Sequence, residues 1–142
     1  MEETLMLIKP DAVQKNAVGN ITAMVEDAGF EVRGMRMVRL TKAQAQAFYA
    51  EHESRGFFGE LVEFMTSGRI VALCLVKENA IKDLRQLVGK TDSREADAGT
   101  IRATYGTDNQ KNAVHASDSP ESAVREIAFY FSRLDTHHAA QE

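Results

Sequence analysis

The sequence predicts a layered α/β fold with roughly four strands, and three observations carry that prediction. Strand-like and helix-like patterns alternate along the chain. Ile70 to Val76 is an almost unbroken apolar run, the pattern of a strand at the centre of a sheet. The last helix carries explicit start signals: Ser119 as N-cap, Pro120 at the first helical position and Glu121 in the first turn.

The elements follow in order. Thr4 to Ile8 reads as a short strand, and Pro10 biases Lys9 toward extended backbone, which places Lys9 at the strand's end. Val18 to Ala28 is helical, with Ile21, Met24, Val25 and Ala28 on one face and Gly29 as its stop. Phe30 to Leu40 reads as a long strand kinked near Gly34. Thr41 and Gln44 form a capping box that starts a helix to about His52. Gly59 to Met65 is a further short helix, followed by the Ile70 to Val76 strand. Asn79 to Val88 is helical and Gly89 stops it. Thr91 to Thr100 is polar and irregular, with one helical turn, and Tyr105 to Lys111 is a loop. In the last helix Ala123, Val124, Ile127, Ala128 and Phe131 form the expected apolar stripe. Periodicity leaves parallel and antiparallel pairing open.

A chain of 142 residues suits one domain with a real core, and neither a repeat nor a linker divides residues 1–142. The net charge of −4 argues against a nucleic-acid binder, whose domains are usually basic. Cys74 is the single cysteine, so no intrachain disulfide forms, and its apolar strand makes it an inert core residue. The N-terminus lacks a signal pattern and no apolar run reaches membrane-spanning length. These features set the expectation of a soluble, cytoplasmic protein that does not associate with membranes.

The chemistry concentrates at 112–123, Asn-Ala-Val-His-Ala-Ser-Asp-Ser-Pro-Glu-Ser-Ala. One imidazole, His115, sits in a run of small and polar residues just ahead of an anchored helix. Imidazole is the side chain best suited to nucleophilic or acid–base work at neutral pH. Phosphoryl transfer needs a nucleophile, positive charge on the moving group and alignment of donor with acceptor. No P-loop is present and the motifs of a protein kinase are missing. A histidine nucleophile with scattered cations suits a covalent phosphohistidine route. His52, His137 and His138 carry no comparable context.

The 112–123 run resembles the active-site signature of nucleoside diphosphate kinases at every defined position. Supporting segments span nearly the whole chain: Ile8-Lys9-Pro10-Asp11-Ala12-Val13, Phe48-Tyr49-Ala50-Glu51-His52, Phe57-Phe58, Leu61-Val62, Met65-Thr66-Ser67-Gly68 and Gly99-Thr100-Ile101-Arg102. The resemblance implies a ferredoxin-like β-α-β-β-α-β core, an α+β sandwich whose four-stranded antiparallel sheet is covered by helices. It also implies ping-pong transfer of the γ-phosphoryl group from a nucleoside triphosphate to a nucleoside diphosphate, with broad base and sugar specificity.

The same resemblance assigns roles. His115 is the nucleophile, through Nδ1, with Ser117 and Glu126 beside it. Lys9, Arg85 and Arg102 are phosphate-binding cations, and Thr91 is a phosphate-binding hydroxyl. Tyr49 lines the site, Lys9 and Asn112 bond the sugar, and Phe57 with Leu61 binds the base. Magnesium arrives with the nucleotide, with Asp118 near its shell. The family's homo-oligomers are tetramers or hexamers built from dimers. Gly56, Arg69, Asp92, Ser93 and Asn109 depart from the common pattern. Of these, Asp92 brings a negative charge toward the phosphate site, and Asn109 replaces an apolar contact to the base. Two other readings compete: a catalytically silent nucleotide-binding or scaffold member, and a nucleic-acid-binding regulator. The presence of His115, Lys9 and Arg102 counts against the first, and the net charge against the second.

Overall fold

The structure is a computed structural model and describes residues 1–137. Four strands, β1 (Glu2–Ile8), β2 (Glu31–Val38), β3 (Ile70–Lys77) and β4 (Val114–Ala116), form one sheet in the order β2-β3-β1-β4. Every pairing is antiparallel, which is the ferredoxin-like arrangement expected. Around the sheet lie α1 (Pro10–Gln14), α2 (Val18–Asp27), α3 (Lys42–Phe48), α4 (Phe58–Met65), α5 (Ala80–Val88), α6 (Ile101–Tyr105) and α7 (Pro120–Tyr130). Two 3₁₀ turns, Ala50–His52 and Ser93–Glu95, complete the elements.

Strand alternation divides the core in two. Met6 and Ile8 of β1 join Val71, Leu73 and Leu75 of β3 on the face that packs against α2 and α5. Leu5 and Leu7 join Ile70, Ala72 and Cys74 on the face that packs against α3, α4 and Tyr130 of α7. In β4, Val114 and Ala116 belong to the first cluster. His115, paired with Leu7 of β1, therefore faces the second, where it meets Phe48 of α3 and Glu126 of α7.

Several expectations hold closely. Ile70–Lys77 is a central strand, flanked by β1 and β2. The kink in β2 is a bulge between Val32 and Gly34. Gly34 is required there by space: a Cβ would lie 3.1 Å from a Phe131 ring carbon and 3.0 Å from the Asp135 carbonyl. The Thr41–Gln44 capping box is present, and Ser119 caps α7 with Pro120 at its first position. Cys74 is buried, and burial beside Glu3 pushes its thiol up to about 12, so it stays an unreactive thiol.

Other expectations fail for identifiable reasons. The helices α1 and α6 were not anticipated, because five residues are too few for a helical period to register. The helix expected to run to His52 ends at Phe48 and tightens into the 3₁₀ turn. The stripe expected on α7 is rotated: Ala123, Glu126 and Tyr130 are buried, whereas Val124 is 73% exposed and Ala128 is exposed. The rotation carries a carboxylate inward, where it finds partners that an apolar stripe would not supply. His137 is exposed, with its backbone N–H donated to the Arg33 carbonyl, and His138 lies outside the described residues. Among the described residues, no helix is long and apolar enough to cross a membrane.

Candidate active site

A pocket of about 410 Å³ opens between the end of β1, β4, α7 and the segment linking α3 to α4. Of the residues singled out from sequence, Lys9, Tyr49, Phe57, Leu61, Thr91, Arg102, Asn112, His115 and Glu126 line it. Ser117, Arg85 and Asp118 do not.

His115 stands on the sheet with its ring between Phe48 and Tyr49, which meet it edge-on at centroid distances of 5.7 and 6.5 Å. Its Nε2 lies 2.7 Å from Glu126 Oε1, and Ser117 Oγ donates to the same oxygen at 2.8 Å. Burial pushes the Glu126 carboxyl up, but the hydrogen bonds from His115 and Ser117 and the charge of Arg125 outweigh it and hold the group below its ordinary value. An ionised carboxylate only accepts. Nε2 must then carry the proton, and the neutral ring presents its lone pair at Nδ1. Ser117 is fully buried behind the pocket, and its hydroxyl also receives the Leu5 N–H at 3.3 Å.

At the deep end lie two cations, Lys9 and Arg102, neither bridged to a carboxylate among the described residues, although the Asp11 charge acts on Lys9. Lys9 Nζ donates to Asn112 Oδ1 at 2.9 Å. Burial, and then the nearby Arg102 charge, lowers its pKa to about 8. Arg102 donates to the carbonyls of Gly89 and Val114 at 3.1 and 3.0 Å, and its buried Nε has no partner. Burial, followed by the Arg85 charge, lowers it to about 10. Two desolvated cations facing one pocket form an electrostatic well for an anion.

The backbone makes this approach possible. Gly89 adopts φ +91°, and a Cβ there would sit 2.8 Å from the Thr100 side chain, so only glycine lets the end of α5 meet the Thr100 cap of α6. Ala113 takes the left-handed φ of 72°, held by its N–H to Asp11 Oδ2 at 3.1 Å and by its carbonyl accepting from the Lys9 N–H at 2.8 Å. That strain sits two residues before His115. Asn112 completes the bracing by donating to the carbonyls of Thr91 at 2.9 Å and Asn109 at 3.2 Å.

The outer end is different. Phe57 is 47% exposed on the rim, with Leu61 and Asn109 beside it. Phe58, by contrast, packs against the second core cluster. Arg85 stays outside the pocket and donates to the Ala116 carbonyl at 3.2 Å. Asp118 accepts the Ser122 hydroxyl at 3.0 Å, at the start of α7. Asp92 is drawn into the Ser93–Glu95 turn, where Arg94 pairs with both its oxygens at 3.0 and 2.7 Å. The Asp92 charge is therefore paired locally, and its side chain does not line the pocket, although the neighbouring Thr91 does. Among the described residues, no group of three His, Cys, Asp or Glu side chains is arranged to hold a metal ion.

Sequence reasoning missed Phe48, Glu51, His52 and Gln110, all of which line the pocket. His52 has no motif context around it in sequence, yet its ring lies 5.8 Å from Phe57. The only signal was its place in the Phe48–His52 segment, directly after Tyr49.

An imidazole sharing one pocket with two buried cations suits the chemistry of a phosphotransferase. A sequence model described as nucleoside diphosphate kinase matches residues 2–136. The chain belongs to the nucleoside diphosphate kinase family, whose members move a phosphoryl group between nucleotides, with a phosphohistidine as a general property. The nucleoside diphosphate kinase of Persephonella marina is 53% identical over 95% of this chain and 96% of its own length. The Aquifex aeolicus enzyme structure is 50% identical, with a TM-score of 0.94 over 95% of this chain and 98% of that one. The Halobacterium salinarum enzyme, solved in complex with CDP, is 37% identical, with a TM-score of 0.93 over 97% and 92%.

Proposed function

We propose that His115 carries the phosphoryl group in this chain, and that residues 1–142 act as one catalytic domain. The observation that carries the reading is the Nε2–Glu126 bond, which leaves Nδ1 as the free lone pair inside a pocket whose deep end is cationic. In the first half-reaction the Nδ1 lone pair forms a bond to the γ-phosphorus. The bond from that phosphorus to the bridging oxygen breaks, and the nucleoside diphosphate leaves with the electron pair. In the second half-reaction a terminal oxygen of another nucleoside diphosphate attacks the same phosphorus, and the N–P electron pair returns to Nδ1. The two steps are near mirror images, so one site serves both.

Lys9 and Arg102 hold the phosphates and stabilise charge as it shifts, helped by the Thr91 hydroxyl. Arg85 contributes its field from behind β4. Asn112 and Lys9 hold the sugar, Tyr49 walls the histidine, and Glu126 with Ser117 fixes the ring. Phe57 and Leu61 take the base. An aromatic face suits every base, which supports broad specificity. Magnesium is the proposed cation and enters on the nucleotide's own phosphates, because Asp118 is turned to Ser122 and the described residues offer no cage of their own. We place the protein in the cytoplasm as a homo-oligomer, a tetramer or hexamer of dimers.

Intact mass after mixing with ATP and magnesium, without acceptor, tests the reading. One phosphoryl group gained, removed by a second nucleoside diphosphate and absent in His115→Ala, is the expected result. Unmodified wild-type protein that still binds nucleotide would instead support a silent binder.

A further inference from the structure

The carboxylate that orients His115 is itself gripped from outside. Glu126 Oε1 takes both short hydrogen bonds, whereas Oε2 faces the Arg125 guanidinium at 3.6 Å. The same guanidinium reaches Glu51 Oε1 at 3.2 Å and donates to the Phe48 carbonyl at 3.4 Å. One side chain on α7 thus binds the end of α3 and the Ala50–His52 turn. Glu51 Oε1 also lies 3.7 Å from His52 Nε2, and the His52 ring lies against Phe57 on the rim. Within this row Glu51, Arg125 and Glu126 alternate in sign.

We propose that Arg125 is a positioning residue: by holding Glu126 Oε2 on one side and Glu51 on the other, it fixes the carboxylate that keeps the proton on His115 Nε2, and ties that geometry to the segment leading to Phe57. This rests on the reading of His115 as the phosphoryl carrier. The terminal torsion of a glutamate is broad and roughly two-fold. A carboxylate anchored through one oxygen can swing, and a charge at the second oxygen restricts it. Removing that charge loosens the carboxylate's hold on Nε2–H and lets the ring populate the tautomer whose Nδ1 carries the proton and cannot attack. The arrangement also explains why Arg125, next to the buried Glu126, points back toward the α3–α4 segment.

The groups facing Glu126 are few. His115 and Ser117 approach from β4 and the residue after it, Tyr49 from the end of α3, and Arg125 and Tyr130 from α7 itself. Glu51 acts through Arg125. Arg125 is the only fixed cation among them, so its loss favours the protonated carboxyl. Its side chain is 46% exposed, which screens its charge and makes its pairs minor contributors to folding stability. A role in chemistry is therefore separable from a role in the fold.

Histidine-ring 15N spectra and single-turnover phosphorylation by ATP and magnesium, on wild type, Arg125→Ala, Arg125→Lys and Glu51→Gln, test the proposal. The wild type should show the Nε2–H tautomer at His115. Arg125→Ala should show a mixture, phosphorylate roughly tenfold more slowly with nucleotide affinity unchanged, and move the acid limb of the rate up by about half a pH unit. Arg125→Lys should recover most of the rate, and Glu51→Gln should fall between. An Arg125→Ala protein with wild-type tautomer and rate overturns the proposal. So does a rate loss that is uniform across pH, accompanied by a lower melting temperature and not rescued by lysine. If wild type takes up no phosphoryl group, the His115 reading has failed, and the tautomer spectra alone decide the role of Arg125.

Discussion

The two ends of the pocket are built on opposite terms. The deep end, proposed here to take the phosphates, is anchored to the sheet: buried Lys9 closes β1, half-buried His115 lies within β4, and buried Arg102 donates to two backbone carbonyls. Lys9 and Arg102 carry a desolvation cost that the packed surroundings enforce, and all three side chains are held by hydrogen bonds. The outer end, proposed here to take the base, is a half-exposed phenylalanine on a connecting segment, with Leu61 and Asn109 also lining the pocket. The difference teaches where rigidity is needed. In-line transfer tolerates little misplacement of phosphorus against nitrogen. A base has only to lie flat on a ring, and a forgiving platform admits several bases.

Breaking the phosphate end should cost the most. His115→Ala should abolish the phosphoenzyme and lower turnover by at least about 10³-fold, read in a coupled assay with two different nucleotides. Arg102→Ala should lower kcat/KM by about 10²- to 10³-fold, because it removes a preorganised donor from a dry site. A value within threefold of wild type would show that the well is not used. Phe57→Ala should act on binding: KM rises about fivefold or more for purine and pyrimidine nucleotides alike, while kcat holds. A large kcat loss there would erase the distinction between the two ends.

The Lys9 charge sharpens the contrast through pH. Its lowered pKa means that the free protein loses this positive charge as pH rises through about 8. The kcat/KM profile should therefore fall on the alkaline side near that pH, and bound polyphosphate, which favours the charged amine, should move the limb upward in kcat. Lys9→Arg should remove the limb. The smallest effect belongs to the outer surface of α7. Val124→Ser, at a 73% exposed position, should change stability by no more than about 0.5 kcal/mol, whereas Ser119→Ala should cost about 1 kcal/mol through loss of the cap. Urea melts distinguish the two.

The α7 helix shows how far sequence reaches. Its start was readable to the residue, because Ser119 and Pro120 act within one turn. Its buried face was not, because 3.6-residue spacing fits Val124 and Ala128 nearly as well as Glu126 and Tyr130. Only contacts with β1 and β4 choose between them. The same holds at the site. Lys9, Arg102, Asn112 and Glu126 were named through a family pattern, and they converge. Arg85 and Asp118 were named with them but lie outside the pocket. Glu51, His52 and Arg125 gave no periodic or motif signal of their own, since ordinary surface residues look the same in a string of letters.

By itself the sequence determined what local forces decide: the caps, the glycine stops, the central apolar strand, the kink near Gly34, and a histidine in a recognisable run. Tertiary structure decided which face α7 buries, which carboxylate meets the His115 ring, and how deeply Lys9 and Arg102 are desolvated. These depend on groups more than 100 residues apart in the chain, such as Lys9 and Asn112, meeting in a medium of low dielectric. No local pattern encodes such a meeting; the assembled sheet makes it.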